Sequence, residues 1–145
     1  KDVYDEDIVA LVDDEVQRNK DSIQFSSLRV ICGSEGPQTA TLALTIDGSL
    51  REVTAEGDGP VDATFNAITE IIQHNACLRL YQVHAVTEGT DAQAEVSVRL
   101  EEKGKSVVGR GADTDTLVAS ARAYLNALNK LIEKREKTLP GALSA

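Results

Sequence analysis

The sequence predicts an α+β domain made of duplicated βββα units with pseudo-twofold symmetry, in which antiparallel strands pack with two helices and a short linker helix comes first. Several stretches alternate apolar and polar residues with a period of two, which is typical of half-buried strands. Turn-forming pairs such as Asp47-Gly48 separate these stretches. Two apolar patterns of helical period, one after Pro60 and one after Asp115, each follow a group of strands. Strands and helices in this order indicate an α+β sandwich.

Composition and charge fit one domain with an aliphatic core. The chain has 145 residues, of which 41% are hydrophobic, and a domain of this size buries roughly 68–70% of its unfolded surface. Aromatic residues make up only 3%, with no Trp or Met, so we expect a core of Val, Leu, Ile and Ala rather than an aromatic-lined pocket. The formal net charge of −9 repels phosphate backbones and anionic membranes, which argues against nucleic-acid and membrane partners.

Cysteine usage and the first residues bear on compartment and origin. Cys32 and Cys77 stand between apolar neighbours and belong to no CxxC motif, so we expect reduced, buried thiols in a cytoplasmic protein. The chain has no signal-peptide pattern and no apolar run near the ~20 residues that a membrane span requires. It opens with Lys1-Asp2 rather than Met, so we expect a fragment excised from a longer protein.

The first half of the chain reads as a connector followed by one βββα unit. Residues 3–18 keep apolar positions near a 3.6 period, which predicts a linker helix within a connecting segment over 1–22. Three alternating stretches then predict strands over residues 23–32, 39–46 and 50–55. A helix should follow from Pro60 to about Asn75, because proline suits the first helical turn, where its missing N–H costs nothing.

The second half repeats this order. Alternation predicts strands over residues 78–86, 92–100 and 106–108. Lys103-Gly104 predicts a hairpin turn, and Gly109-Arg110-Gly111 a turn that leads into a last helix. That helix should begin near Asp113 to Asp115 and end near Arg135.

The two halves also resemble each other in sequence. Leu44-x-Ile46, a hairpin and Gly57-x-Gly59 are echoed 52 residues later by Val96-x-Val98, a hairpin and Gly109-x-Gly111. We therefore expect one domain over 23–136 with repeats at about 23–76 and 77–136, followed by a flexible tail over 137–145.

Candidate catalytic groups are scarce. His74 and His84 are the only imidazoles, and no Ser/His/Asp order, Cys/His pair or HExxH motif is present. Asp113-x-Asp115 lacks further oxygen ligands nearby, so we interpret it as a helix N-cap rather than a metal site. The sequence predicts no catalytic residue, no metal site and no cofactor for this chain, which we do not expect to be an enzyme by itself.

Two features point instead to a small ligand. Gly57-Asp58-Gly59-Pro60 brings glycines to a helix N-terminus, where free N–H groups and the helix dipole favour a carboxylate; the alternative is a tight turn without a ligand. Ala85, Ala92 and Ala94 stand near the turn between strands four and five, where larger residues are expected. Either a neighbouring backbone or an apolar ligand side chain fills that gap. A carboxylate and an alkyl group together describe a branched-chain amino acid.

At these residues the sequence resembles the C-terminal regulatory domain shared by 2-isopropylmalate synthases and citramalate synthases. The resemblance covers about residues 23–132, and residues 1–20 resemble the end of the linker that precedes this domain. Three motifs carry it: Gly57-Asp58-Gly59-Pro60-Val61-Asp62-Ala63, Tyr81-x-x-His84-Ala85-Val86-x-x-Gly89-x-Asp91-Ala92-Gln93-Ala94, and Gly109-Arg110-Gly111-Ala112-Asp113-Thr114-Asp115 running into Ala119-Ser120-Ala121-x-Ala123-Tyr124-x-Asn126-Ala127-Leu128-Asn129. The third is similar to the isopropylmalate branch.

The resemblance implies that the domain binds leucine as a feedback inhibitor. The parent would be a 2-isopropylmalate synthase, an acyltransferase that condenses acetyl-CoA with 2-oxoisovalerate in the first committed step of leucine biosynthesis. Its catalytic barrel, with a divalent metal, would belong to the same polypeptide but is absent from these residues. In that family the inhibitor lies where two copies of the domain meet, which implies a homodimer.

Positions in the motifs imply a set of ligand-binding residues. Those around the charged end of leucine are Gly57, Asp58, Gly59, Val61 and Asp62. Those around its side chain are Leu78, Tyr81, Ala85, Ala92 and Ala94, with Ala112 and Thr114 from the second glycine motif. Asp62 departs from the small residue that some members carry there, so its role is the one that the resemblance defines least.

Three other functions remain open from the sequence. The domain could be the isoleucine-sensing domain of a citramalate synthase, or a dimerisation domain that binds no ligand. A small stand-alone enzyme is the third alternative, and the missing nucleophile and base argue against it.

Overall fold

A computed structural model describes residues 22–85 and 93–138, with Ala85 and residues 135–138 described by their backbone alone. The predicted α+β fold with duplicated βββα units is confirmed. The first unit consists of β1 (Ile23–Ile31), β2 (Gln38–Ile46), β3 (Ser49–Gly57) and helix α1 (Pro60–Ile71). The second consists of β4 (Cys77–Ala85), β5 (Ala94–Glu102), β6 (Lys105–Asp113) and helix α2 (Thr116–Thr138). The predicted linker helix over 3–18 lies outside the described residues.

Each unit forms its own three-stranded antiparallel sheet, with the strands in sequence order. Two-residue turns close the β2–β3 and β5–β6 hairpins, and both residues of each turn have positive φ: 50° and 85° at Asp47 and Gly48, and 51° and 77° at Lys103 and Gly104. These are the mirror-image turns whose twist matches that of the flanking strands. Both hairpins that the sequence predicted are therefore confirmed.

The repeat has a period of 56 residues, so the predicted offset of 52 is wrong. Lys103 lies 56 residues after Asp47 in the equivalent hairpin turn, and Thr116 begins α2 56 residues after Pro60 begins α1. The mistake came from equating the glycine motifs. Gly57 ends β3, whereas Gly109 and its neighbours lie within β6.

Strand β6 is much longer than the predicted 106–108 and contains the glycines that were interpreted as a turn. The physical reason is the close approach of α2. A Cβ atom on Gly109 would collide with the backbone of Ala123 and Ala127, and one on Gly111 with the backbone of Ala119 and Ala123. Glycine inside a strand is typical of such a close backbone approach.

The core lies between the sheets and the helices. Alternate residues of the two central strands have no solvent exposure: Ala40, Leu42 and Leu44 in β2, and Val96, Val98 and Leu100 in β5. Helix α1 packs on β2 and β3, and α2 packs on β5 and β6. Each fully buried Leu or Val stabilises the fold by roughly 1.5–3 kcal/mol relative to its exposed state.

Helix α1 ends at Ile71, four residues before the predicted end. The last helical bond runs from the N–H of Ile72 to the carbonyl of Ile68. His74 then folds back, and its Nδ1 accepts a hydrogen bond from the N–H of Ala76 at 3.2 Å. A hydrogen bond therefore holds the segment that connects α1 to β4.

Two further observations concern the surface. Cys32 and Cys77 are free but exposed, so the expectation of buried thiols was wrong; both stand at strand ends, where their apolar neighbours do not enclose them. None of the helices within residues 22–85 and 93–138 has the length and apolar character needed to cross a bilayer.

Candidate functional site

Three aromatic residues from three elements meet near the centre of the molecule. The ring of Phe65 in α1 lies edge-on to Tyr81 of β4, with centroids 5.7 Å apart. On its other side it packs against Tyr124 of α2, with centroids 4.6 Å apart. The low aromatic content of the sequence gave no indication of this cluster, because its members are far apart along the chain.

A part-buried hydroxyl pair links β4 to α2. The hydroxyl groups of Tyr81 and Ser120 lie 2.8 Å apart, and Ser120 donates its own proton to the carbonyl of Thr116 at 2.7 Å. Tyr81 is therefore the donor of the pair. The equivalent residue of the first unit, Thr64, likewise donates to the carbonyl of Pro60 at 2.7 Å. The second unit therefore differs in that Ser120 also contacts the hydroxyl of Tyr81 in β4.

The predicted turn Gly57–Asp62 lies between β3 and α1, and its two glycines differ in role. A Cβ atom on Gly57 would collide with the backbone of Asp62 and Ala63, so the fold itself requires this glycine. Gly59 is the N-cap of α1 in an extended conformation, and a Cβ atom there would meet nothing within 4 Å. Gly59 therefore faces space that a ligand or another chain can occupy.

The two helices begin differently. No side chain caps α1, and its first N–H groups have no intrahelical partner. At the start of α2, Asp115 accepts hydrogen bonds from the N–H groups of Leu117 at 2.7 Å and Val118 at 3.4 Å. The N-cap prediction for Asp115 is thus confirmed. Of the two helices within residues 22–85 and 93–138, α1 alone offers uncapped donors to an added carboxylate.

Two acidic residues flank the start of α1. The carboxylate of Asp62, in the first turn of the helix, accepts a hydrogen bond from the N–H of Asp58 at 3.0 Å. Both residues are exposed. The structure thus gives Asp62 a role within the turn and places negative charge beside the positive end of the helix dipole.

The strand register places Tyr81 and Ala94 on the helix-facing side of the second sheet. Tyr81 pairs with Val98 and Ala85 with Ala94, and Val98 belongs to the fully buried row beneath α2. Ala94 is half-buried. Ala92 lies outside the described residues.

Leu78 shares this side although it is three residues from Tyr81. A regular strand would place the two on opposite faces. A bulge between Leu78 and Leu80 shifts the register, so that Leu78 pairs with the buried Leu100. No signal in a single sequence predicted this bulge.

Ala112 and Thr114 do not join the other residues. Ala112 is exposed and pairs with Glu95, on the side of the sheet that faces away from the helices. Thr114 is an exposed residue between β6 and α2. The structure therefore leaves both outside the group formed by Tyr81 and Ala94.

The helix-facing side of β4 is partly uncovered. Leu78 and Val83 expose 44% and 46% of their surfaces, whereas Phe25, Leu28 and Val30 of the equivalent strand β1 pack against the core. Both helices contact β1, and α2 is the longer of the two, with 23 residues against 12 in α1. At 1.5 Å per residue these span about 18 Å and 35 Å, and α1 reaches β4 through the contact of Phe65 with Tyr81.

Other polar groups gather elsewhere. Gln73, His74, Asn75, Glu102 and Lys103 line a polar depression beyond the end of α1. Within the described part of the chain, no three His, Cys, Asp or Glu side chains come together as a metal site would require.

Comparison with known proteins finds one matching family and several similar proteins of one name. Residues 2–132 match the family described as the LeuA allosteric (dimerisation) domain. The chain is 59% identical to 2-isopropylmalate synthase of Nitrobacter hamburgensis over 145 residues, which is all of this chain and 28% of that protein. The corresponding enzymes of Rhodopseudomonas palustris strain HaA2 and Caulobacter sp. strain K31 are also 59% identical over the same extent. The chain matches the C-terminal part of these relatives.

Proposed function

The chain belongs to the LeuA allosteric (dimerisation) domain family, and we propose that it binds leucine as the feedback inhibitor of a 2-isopropylmalate synthase. It would serve as the C-terminal regulatory domain of that enzyme, which condenses acetyl-CoA with 2-oxoisovalerate. The proposal rests above all on one observation: Phe65, in the second turn of a helix that has no side-chain cap, contacts Tyr81 on the partly uncovered apolar face of β4.

The strand face suits the side chain of leucine. Tyr81 and Val83 of β4 point to the same side as Ala94 of β5, and the exposed fraction of Val83 is 46%. Alanine rather than a larger residue at Ala94 leaves room for a branched alkyl group. Burial of each ligand CH₂ group there contributes roughly 0.8 kcal/mol to binding.

The start of α1 suits the charged end of an amino acid. The N–H groups of Val61 and Asp62 fall in the first turn, where helix donors have no intrahelical acceptor, and the helix dipole favours a carboxylate. The carboxylates of Asp58 and Asp62 supply acceptors for the ammonium group nearby. A zwitterion therefore matches this terminus better than a simple anion does.

The aromatic cluster connects the two regions. Val61 lies one helical turn before Phe65 and packs against the core, and Phe65 contacts Tyr81 across 5.7 Å. A ligand held at the start of α1 is thus directed toward β4. This continuity supports one site with a charged and an apolar part.

A second copy of the domain would complete the site. Dimerisation is part of the family description, and a twofold axis would place the same surface of both copies in contact. An interface that covers Leu78 and Val83 would remove their exposed surface from water. It would also enclose the alkyl group of a ligand lying on Tyr81.

A dimerisation domain without a ligand is the other candidate function. The same uncovered face of β4 favours it, since a partner chain alone would bury Leu78 and Val83. The open space beside Gly59 favours a ligand instead, because a carboxylate there could accept hydrogen bonds from the uncapped N–H groups of α1.

Thermal unfolding with added amino acids separates these functions. A ligand that binds only the folded state stabilises it by about 2.7 kcal/mol at a concentration 100 times Kd. We expect leucine to raise the melting temperature more than isoleucine or valine does at equal concentration. A stronger shift with isoleucine would indicate the citramalate branch, and no shift with any of the three would indicate dimerisation alone.

A further inference from the structure

Asn129 of α2 binds both backbone groups of the first residue of β1. Its Oδ1 atom accepts a hydrogen bond from the N–H of Ile23 at 3.2 Å, and its Nδ2 donates to the carbonyl of the same residue at 2.9 Å. Both residues are buried, with 7% and 3% of their surfaces exposed. The carboxamide thus takes the place of a neighbouring strand and pins the start of β1 to the helix.

Ile23 is the residue at which the chain enters the first sheet. The carbonyl of Ser22 accepts a hydrogen bond from the N–H of Asp47 at 3.0 Å, so the hairpin turn holds this point from the other side. The chain matches the C-terminal part of its relatives, whose remaining sequence comes before the matched region. In such a protein the covalent connection from the two sheets to the preceding part passes through Ser22 and Ile23.

Helix α2 contacts both this point and the candidate site. Ser120, in its first turns, shares the hydroxyl pair with Tyr81, and Asn129 follows nine residues later. At 1.5 Å per residue the two contacts lie about 14 Å apart along one continuous helix. A packed helix moves as a rigid body, so a shift at one contact is carried to the other.

We propose that Asn129 is the positioning residue that passes the ligand state of the domain to the preceding part of the protein. This inference rests on the proposed function, because it assumes that leucine binds beside Tyr81. Leucine packed on Tyr81 biases the position of α2 through Ser120, and Asn129 transfers that position to the backbone of Ile23. Both hydrogen bonds to one residue fix its orientation as well as its place.

The same helix offers a matched control. Asn126 also uses its carboxamide on a backbone group, and its Oδ1 accepts a hydrogen bond from the N–H of Arg110 at 3.0 Å. That bond joins α2 to β6 within the second unit and does not involve Ile23. Asn126 and Asn129 are thus the same residue type on the same helix, and both bind backbone groups. They differ in their partners, which are Arg110 of β6 and Ile23 of β1.

The test compares Asn129→Leu and Asn129→Asp with Asn126→Leu in the full-length synthase that carries this domain. Leucine affinity is measured by calorimetry without substrates, and inhibition by initial rates at saturating leucine. We expect both Asn129 variants to keep a leucine Kd within about threefold and to keep activity without leucine. The ratio of the initial rate without leucine to the rate at saturating leucine should fall by about 5-fold or more, which is the low end of usual allosteric coupling. Asn126→Leu should stay fully inhibited.

The possible outcomes separate the two proposals. Full inhibition of both Asn129 variants overturns the inference, as does loss of leucine binding in step with inhibition, because either result gives Asn129 no role in transmission. If Asn129→Leu fails to fold, Asn129→Asp decides, since it keeps the acceptor for the N–H of Ile23 and loses only the donor. Failure of the unsubstituted protein to bind leucine overturns the proposed function, and this inference with it.

Discussion

The hydroxyl of Tyr81 in β4 donates a hydrogen bond to Ser120 of α2, with 2.8 Å between the oxygens. This bond is a polar link between a strand that exposes apolar surface and the first turns of the longest helix. Because Ser120 also bonds the carbonyl of Thr116, the serine keeps a partner if the tyrosine hydroxyl is removed.

Tyr81→Phe should therefore destabilise the domain only modestly. A typical net hydrogen bond contributes about 0.5–1.5 kcal/mol, and the substitution leaves no donor of Ser120 unsatisfied. The free energy of unfolding from urea denaturation should fall within that range. A loss several times larger would show that the hydroxyl holds more of the structure than this one bond.

Gly109→Ala should destabilise the domain strongly, because its Cβ atom would meet the backbone of Ala123 and Ala127. Overpacking of this kind costs about 1–3 kcal/mol or more. Gly33→Ala is the control, since a Cβ atom there meets nothing within 4 Å and surface changes usually stay within about 0.5 kcal/mol. Equal urea midpoints for the two variants would contradict the close packing of α2 on β6.

Gly59→Val should abolish leucine binding and leave the fold intact. The added atoms enter space that is vacant in the chain and that we assign to the ligand carboxylate. Leucinol, which lacks the carboxylate, should bind at least 10-fold more weakly than leucine, because charge-assisted hydrogen bonds contribute roughly 1.5–3 kcal/mol each. Competition titration measures both effects. Normal binding of leucine by Gly59→Val, or of leucinol by the unsubstituted domain, would move the site away from α1.

Stability should decline above pH 10 through Tyr124. Burial raises the pKa of this phenol above its ordinary value of 10.0, against a smaller lowering by the hydroxyl of Thr69. The folded state then holds the proton more tightly than the unfolded state does, so the contribution is complete below pH 10 and is lost as the pH rises through the folded pKa. Tyr124→Phe should lose less stability between pH 9 and pH 11, roughly one pH unit on either side of the unperturbed value. Identical pH profiles for the variant and the unsubstituted domain would contradict this.

Sequence patterns predicted the strands, both hairpins and the two helices because alternation and turn pairs are local signals. They failed where a distant element decides. Gly109 and Gly111 form no turn, since their lack of side chains serves the approach of α2. Helix α1 ends at Ile71, and His74 beyond it bonds the N–H of Ala76; the shared face of Leu78 and Tyr81 depends on a bulge.

The residues of the candidate site also fall into those that local sequence patterns predict and those that depend on distant elements. The period of two in a strand indicates that Tyr81 and Ala85 share one face, and the helix-start motif locates Gly59. Neither could show that Phe65 joins the two regions, because that contact depends on how α1 crosses the sheet. Ala112 was predicted to follow a turn, whereas it lies within strand β6. Its position on the face away from the helices follows from its pairing with Glu95.

Calorimetric titration with leucine tests the central claim most directly, with Ala94→Val and Ser97→Val as matched variants of neighbouring β5 positions. Ala94 belongs to the helix-facing row, whereas Ser97 pairs with Gln82 on the opposite side of the sheet. A pocket discriminates one methylene group by roughly 1–3 kcal/mol. We therefore predict saturable leucine binding that Ala94→Val weakens by about 10-fold or more and that Ser97→Val leaves unchanged. No heat of binding with leucine, or equal affinity in the two variants, would contradict a leucine site on this face.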